Sequence, residues 1–328
     1  MKKNTNILLN GIMGVVVGDA LGRPVQFETR EQIARHPVTG MRGYGVFNLP
    51  EGSWTDDSSL TLALLESLRR KGKIDPDDIM HNFMEWLYEG AFTPYGKAYD
   101  IGSGTMHAID RYSRGHDWKK CGGDKEWENG NGSLMRILPA CIYCSEMKTR
   151  GDFSDQDAIE TIHTVGALTH AHIRSKIACG LYFFMVHQVL TGSGNLTDLL
   201  QAGLTQGFAF YEAFPADQKN LHYYDRLRDL AAFRAVPADR IKSSGYVVDA
   251  LEAAVWSLIR TDSFEQALLT AVNLGEDTDT VAAIAGGLAG LYYTYDRIPN
   301  DWLSVIKRRE WIEEMCSKDY ISGTNSRS

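Results

Sequence analysis

The chain has 328 residues, 44% hydrophobic and 23% charged, an ordinary globular composition long enough to bury a large core without disulfides or a structural metal. Its formal net charge of −8 argues against broad attachment to nucleic acid, which depends on basic patches, but leaves room for a local basic pocket. Five cysteines without even spacing point to a reducing, cytoplasmic compartment, and with no Pro/Ser-rich linker or charge block the chain reads as one domain, 1–328.

The opening MKKNTNILLNGIMGVVVGDALG begins with two lysines and an apolar run, as a secretory signal does. Asn10 interrupts the run, Asp19 follows, and no small-residue cleavage site stands at the right place, so a buried first helix is expected. No run approaches the ~18 apolar residues of a membrane span, and no membrane partner is expected. Residues 57–70 space Leu60, Leu64 and Leu68 four apart and end in Arg69 and Arg70, where a helix dipole favours cations. Residues 76–89 start on a proline and acids and bring Ile79, Phe83, Trp86 and Leu87 to one face. Cys141 and Cys144 form a lone Cys-x-x-Cys; without a second pair or nearby histidines they read as buried helix residues. Further helices are predicted over 157–170, 175–190, 247–260 and 263–275. Near the C-terminus Val281, Ile284, Ala285, Leu288, Leu291 and Tyr292 fall on one helix face. Alternating strand patterns are nearly absent, so the fold class is all-α, with roughly a dozen helices of the usual 11–12 residues.

Two helix starts carry more acid than capping requires. NLGEDTDT places Glu276, Asp277 and Asp279 ahead of an alanine- and glycine-rich helix, and one carboxylate suffices to cap it. About 220 residues upstream, GSWTDDSSL repeats the design with Thr55, Asp56 and Asp57. Should the two starts meet, four carboxylates and two threonine oxygens would crowd together and repel. Hard oxygen ligands without cysteine or histidine suit magnesium, manganese or calcium, and four formal negative charges match two divalent ions. Taken alone, the clusters also fit two independent acidic caps.

Glycine-rich segments supply anion-binding chemistry. Gly130, Asn131, Gly132 and Ser133, ahead of an apolar helical run, expose backbone N–H groups to an anion, and Ser103, Gly104 and Thr105 can do likewise. Neither segment has a Walker or dinucleotide-binding glycine pattern. Asp100 and Gly102 belong to the same DIGSGT stretch; taken alone, Asp100 also reads as a turn or cap aspartate.

GDALGRPVQF, WTDDSSLTLAL, YDIGSGT, NGNGSLMR, LTHAH, SGYVVDALEAAVW and VNLGEDTDTVAAIAGGLAG occur in this order, and together they resemble the ADP-ribosylglycohydrolase family over residues 8–312. The resemblance implies a compact all-α domain of orthogonal helices around a binuclear centre, followed by a flexible C-terminal tail. It implies two Mg2+ or Mn2+ ions held by Thr55, Asp56, Asp57, Asp277, Asp279 and Thr280. It further implies hydrolysis of the bond between ADP-ribose and a protein side chain, arginine first, with ADP-ribose as product. Asp100, Asp56 and Asp279 are then the catalytic candidates, Asp100 gripping a guanidinium and stabilising positive charge on the ribose. Asp100, Gly102 and His170, with the segments 103–105 and 130–133, are the substrate-binding candidates. His172 and Arg136 receive no role, and Glu276 is expected to face solvent or support the ligands. Gln26 stands where many members carry glutamate, with Glu28 two residues on as a possible replacement. The alternatives within the family are an enzyme for ADP-ribosylserine or a small ADP-ribose derivative, and an immunity protein that binds an ADP-ribosyltransferase toxin.

Overall fold

The computed structural model describes residues 6–317; the far end of the expected C-terminal tail lies outside them. Within the described residues sixteen α-helices follow one another: α1 (Ile7–Gly22), α2 (Arg30–Arg35), α3 (Asp56–Lys71), α4 (Pro76–Glu89), α5 (Ser103–Ser113), α6 (Leu138–Arg150), α7 (Asp155–Ala167), α8 (Ile173–Thr191), α9 (Leu196–Glu212), α10 (Pro215–Leu221), α11 (Leu230–Arg234), α12 (Val247–Ile259), α13 (Phe264–Val272), α14 (Thr278–Tyr293), α15 (Asn300–Val305) and α16 (Arg309–Ser317). Among the described residues the only β-structure is three isolated bridges. The all-α expectation holds; the surplus over a dozen comes from helices of five to seven residues, too short to leave a periodic signature. Local chemistry sets the boundaries. Asp75 caps α4 by accepting from the N–H of Asp78, with Pro76 in the first turn, and Gly90 ends that helix in the left-handed conformation at φ 72°.

α1 and α14 form the antiparallel centre. The window Ile7–Val25 is apolar enough to cross a membrane by length and composition, yet 83% of it is buried within the protein. Burial is total around α14 as well: Ala282, Ala283, Gly286 and Gly287 are covered along with Val281, Ile284 and Leu288. Alanine and glycine on the sides of α14 away from the apolar face therefore also serve as contact surface. A Cβ placed on Gly14 would lie 2.1 Å from the carbonyl oxygen of Gly286, one on Gly18 2.1 Å from that of Ala282, and one on Gly22 2.4 Å from that of Thr278. The backbones touch along this seam, and the Thr278 hydroxyl donates to the Gly22 carbonyl at 2.7 Å. The end of α1 is thereby fixed against the start of α14. All five cysteines are free and buried, Cys141 and Cys144 in the core with α6, as expected.

Candidate metal centre and active-site cleft

The two acidic helix starts meet. One oxygen each of Asp19, Asp57 and Asp279 lies within 4.8 Å of the others. Asp19 reaches this point from α1 and was not anticipated. Its carboxylate accepts from the Thr55 N–H at 2.9 Å, the Ser58 N–H at 3.0 Å and the Ser58 hydroxyl at 2.6 Å, so it caps α3 from another helix. Thr55, at the N-cap position, makes no side-chain cap of its own. Its hydroxyl is turned to the acids, 3.0 Å from Asp19 and 3.2 Å from Asp57. Asp277 likewise occupies the N-cap of α14 without capping it, and instead accepts from the Asn131 amide at 2.6 Å. The Thr280 hydroxyl lies 3.4 Å from Asp57. The excess acid at both helix starts is thus released from capping and gathered in one place.

This gathering is electrostatically costly. Burial, and then the charges of Asp100, Asp57, Asp19 and Asp277, push Asp56 well above the usual carboxylate range. Burial first and neighbouring aspartates next do the same to Asp57 and Asp279. Asp277 and Asp100 are raised chiefly by burial, and Asp19 is raised by burial to about 6. Buried Arg23 offsets part of the charge while its guanidinium holds the loop before α3 through the carbonyls of Ser53, Tyr44 and Leu49. Asp57 Oδ1, Asp279 Oδ2 and Asp100 Oδ2 are buried without any hydrogen-bond donor. Carboxylate oxygens in that state suit hard divalent cations. Asp19, by contrast, has committed its oxygens to four donors of Thr55 and Ser58, and we assign it to positioning the start of α3.

Beside the acids opens a cleft of about 460 Å3, into which Asp56, Asp100, Asp277 and Thr280 face. Asp100 has left-handed backbone, φ 55°, and the side chains of Asp279 and Gln26 stand beside its carboxyl group, each pulling its pKa down against the rise that burial causes. Gln26 is buried on the cleft wall, whereas Glu28 is absent from it, so the glutamine itself fills the place in question. Glu276 is exposed, as expected. Gly102, Ser103, Gly104 and Thr105 line the cleft at the N-terminus of α5, which has no side-chain cap. Gly130, Asn131 and Gly132 form the facing loop, tied to the start of α12 by the Asn131 N–H donating to Gly245 and the Val247 N–H donating to Asn129. Ser133 departs from expectation: it is fully buried and receives the Cys179 thiol, because the chain turns into the core there.

His170 sits between the two glycine segments. A Cβ on Gly104 or Gly132 would come within 2.9 Å or 2.7 Å of its ring, which is why both loops need glycine. Burial, with the Arg136 charge second, lowers its pKa to about 3, so the imidazole is neutral. Arg136 donates to the Thr169 hydroxyl at 3.0 Å, and that hydroxyl lies 2.8 Å from His170 Nδ1. The hydroxyl proton then goes to Nδ1, leaving Nε2–H as a donor toward the glycines. Arg136 therefore has a bracing role the sequence did not disclose. His172 lies by the Trp127 loop, 3.4 Å from Glu126.

Residues 4–327 match the sequence profile described as ADP-ribosylglycohydrolase. The ADP-ribosylarginine hydrolase Tri1 of Serratia proteamaculans (strain 568) is 31% identical over 309 residues, covering 94% of this chain and 77% of its own. The ADP-ribosyl-[dinitrogen reductase] glycohydrolase of Rhodospirillum rubrum is 32% identical over 298 residues, 90% of this chain and 88% of its own. A solved ADP-ribosylglycohydrolase-related protein complex superposes with a TM-score of 0.77 at 29% identity, over 96% of this chain and 97% of that one. The gathered aspartates, the helical scaffold and these matches together make this chain a member of the ADP-ribosylglycohydrolase family.

Proposed function

We propose that the protein removes ADP-ribose from modified arginine side chains and that it works with two divalent cations, Mg2+ or Mn2+. The observation that carries the reading is the convergence of buried, donorless carboxylate oxygens from α3 and α14 at one end of a cleft whose wall carries Asp100. The names of the two relatives at 31–32% identity support the arginine linkage and a modified protein as substrate. Five buried free thiols fit a cytoplasmic setting.

Thr55, Asp56, Asp57, Asp277, Asp279 and Thr280 are the residues that would hold the cations, which when bound supply charge neutralisation and a more acidic water. The remaining chemistry belongs to the cleft. The uncapped N–H groups of α5 and those of Gly130 and Gly132 suit a diphosphate, and the Nε2–H of neutral His170 adds a donor between them. Asp100, on the cleft wall beside Gln26, stabilises the positive charge that develops on the anomeric carbon and pairs with the leaving guanidinium.

Incubating the protein with arginine-, serine- and aspartate-linked ADP-ribosyl peptides, with Mg2+, Mn2+ or a chelator, tests this directly. Free ADP-ribose is expected from the arginine peptide and only with metal. Release from the serine peptide alone would overturn the linkage, and equal release in chelator would overturn the metal.

A further inference from the structure

Phe27 occupies a position that folding alone does not explain. Its side chain is 64% exposed on the wall of the cleft. Its backbone is left-handed at φ 67°, a strained conformation for a bulky residue. That conformation is held from outside: the Phe27 N–H donates to the Glu276 carbonyl at 2.7 Å, and the Glu276 N–H donates to the Glu28 carbonyl at 2.8 Å. Glu276 is itself left-handed at φ 62°. A glycine would adopt the same backbone without strain, so the ring is an added expense with no return in the core.

Location suggests the return. Gln26, the preceding residue, stands beside the Asp100 carboxyl group, and Gln26, Phe27 and Asp100 all line the cleft, so Phe27 flanks its reacting end. The donors suited to the diphosphate, on α5 and around His170, line the same cleft. What must emerge at the reacting end is the acceptor side chain and the polypeptide that carries it. Ile101, beside Asp100, is a second exposed apolar residue there.

We propose that Phe27 recognises the acceptor: its ring packs on the guanidinium face of the modified arginine and on the polypeptide next to it. Arginine stacks on aromatic faces while its edge stays free for a carboxylate, here Asp100. This inference rests on the arginine reading given above.

Phe27→Ala and Phe27→Tyr would be compared with the parent on an arginine-ADP-ribosylated protein with Mg2+, alongside calorimetric titration of ADP-ribose. Alanine keeps the backbone strain and deletes only the ring, and the site is exposed, so folding is preserved. The expected result for Phe27→Ala is a fall in kcat/KM of about tenfold with ADP-ribose affinity unchanged, with Phe27→Tyr within about twofold of the parent. Unchanged kcat/KM in Phe27→Ala would overturn the inference, as would an equal loss of ADP-ribose affinity, which would place the ring on the nucleotide. A parent that releases nothing from the arginine-linked protein would instead bring down the arginine reading, and the inference with it.

Discussion

Gly18→Ala adds one methyl group where α1 and α14 touch, and its effect should reach the metal centre. The new Cβ would lie 2.1 Å from the Ala282 carbonyl oxygen, 2.5 Å from its carbon and 2.8 Å from the Ala283 nitrogen. All three are backbone atoms, so no side chain can swing aside. An unstrained C···O contact is about 3.3 Å, so the helices must part by roughly 1 Å. Overpacking of this kind costs about 1–3 kcal/mol, or roughly 1–4 °C in melting temperature for a domain of 328 residues. The catalytic cost should be larger. Asp19 is the next residue on α1 and holds the start of α3, while Asp279 is one turn away on α14. Metal ligands tolerate about 0.2 Å of displacement, and a 1 Å misplacement at a reacting centre costs about 100-fold. Turnover of ADP-ribosylarginine with Mg2+ should therefore drop about 100-fold while a folded melting transition remains. Gly40→Ala is the control, since its nearest neighbour, Trp302 Nε1, lies at an ordinary 3.5 Å. Parent-level turnover in a folded Gly18→Ala protein would refute the claim that the glycine seam positions the site.

Asp279→Ala should abolish hydrolysis while the fold persists, since it removes a buried donorless oxygen from a crowded acidic site; circular dichroism and ADP-ribose release would check this, and an active variant would count against the metal reading. Asp100→Asn should keep ADP-ribose binding within about tenfold but lower arginine-linked turnover about 100- to 10,000-fold; a cap-only aspartate would instead lower the melting temperature with turnover per folded molecule unchanged. The carboxylates also predict a pH effect. The folded-state pKa of Asp19, about 6, lies above its unfolded value, so its contribution is full below pH ~4 and is lost as pH rises through 6, up to about 3 kcal/mol. The buried histidines, such as His163 at about 3, act in the opposite direction but cancel in a comparison with and without metal. The gain in melting temperature from Mg2+ over chelator should therefore grow between pH 5 and 7.5, and a flat difference would exclude the linkage.

Much of this site was legible because the chain signals it locally. The paired acids at 56–57 and 277–279 exceed capping needs, and the structure confirms that neither Thr55 nor Asp277 caps its helix. Asp19 was harder to see, because its partners, Thr55 and Ser58, are 36 and 39 residues away and its own helix is apolar apart from Asn10. One signal was available: a lone carboxylate in an apolar helix must find donors if it is buried. Ser133 was misjudged because periodicity does not say where a loop turns inward. The bracing of His170 by Arg136 and Thr169 was invisible for another reason, since it joins the segment before α6 to the one after α7 through side chains 33 residues apart.

The pairing of α1 with α14 also orders events in time. The Thr278–Gly22 hydrogen bond spans 256 residues. At ~5–20 residues per second of synthesis, α1 waits tens of seconds for the helix that covers it. During that wait an apolar helix is open to chaperones and to other nascent chains, and no intermediate can hold the metal centre. A chain cut short before Asp277 lacks three of the six proposed ligands, so translation products that stop early should be hydrolytically silent. Activity then becomes a report on completed synthesis.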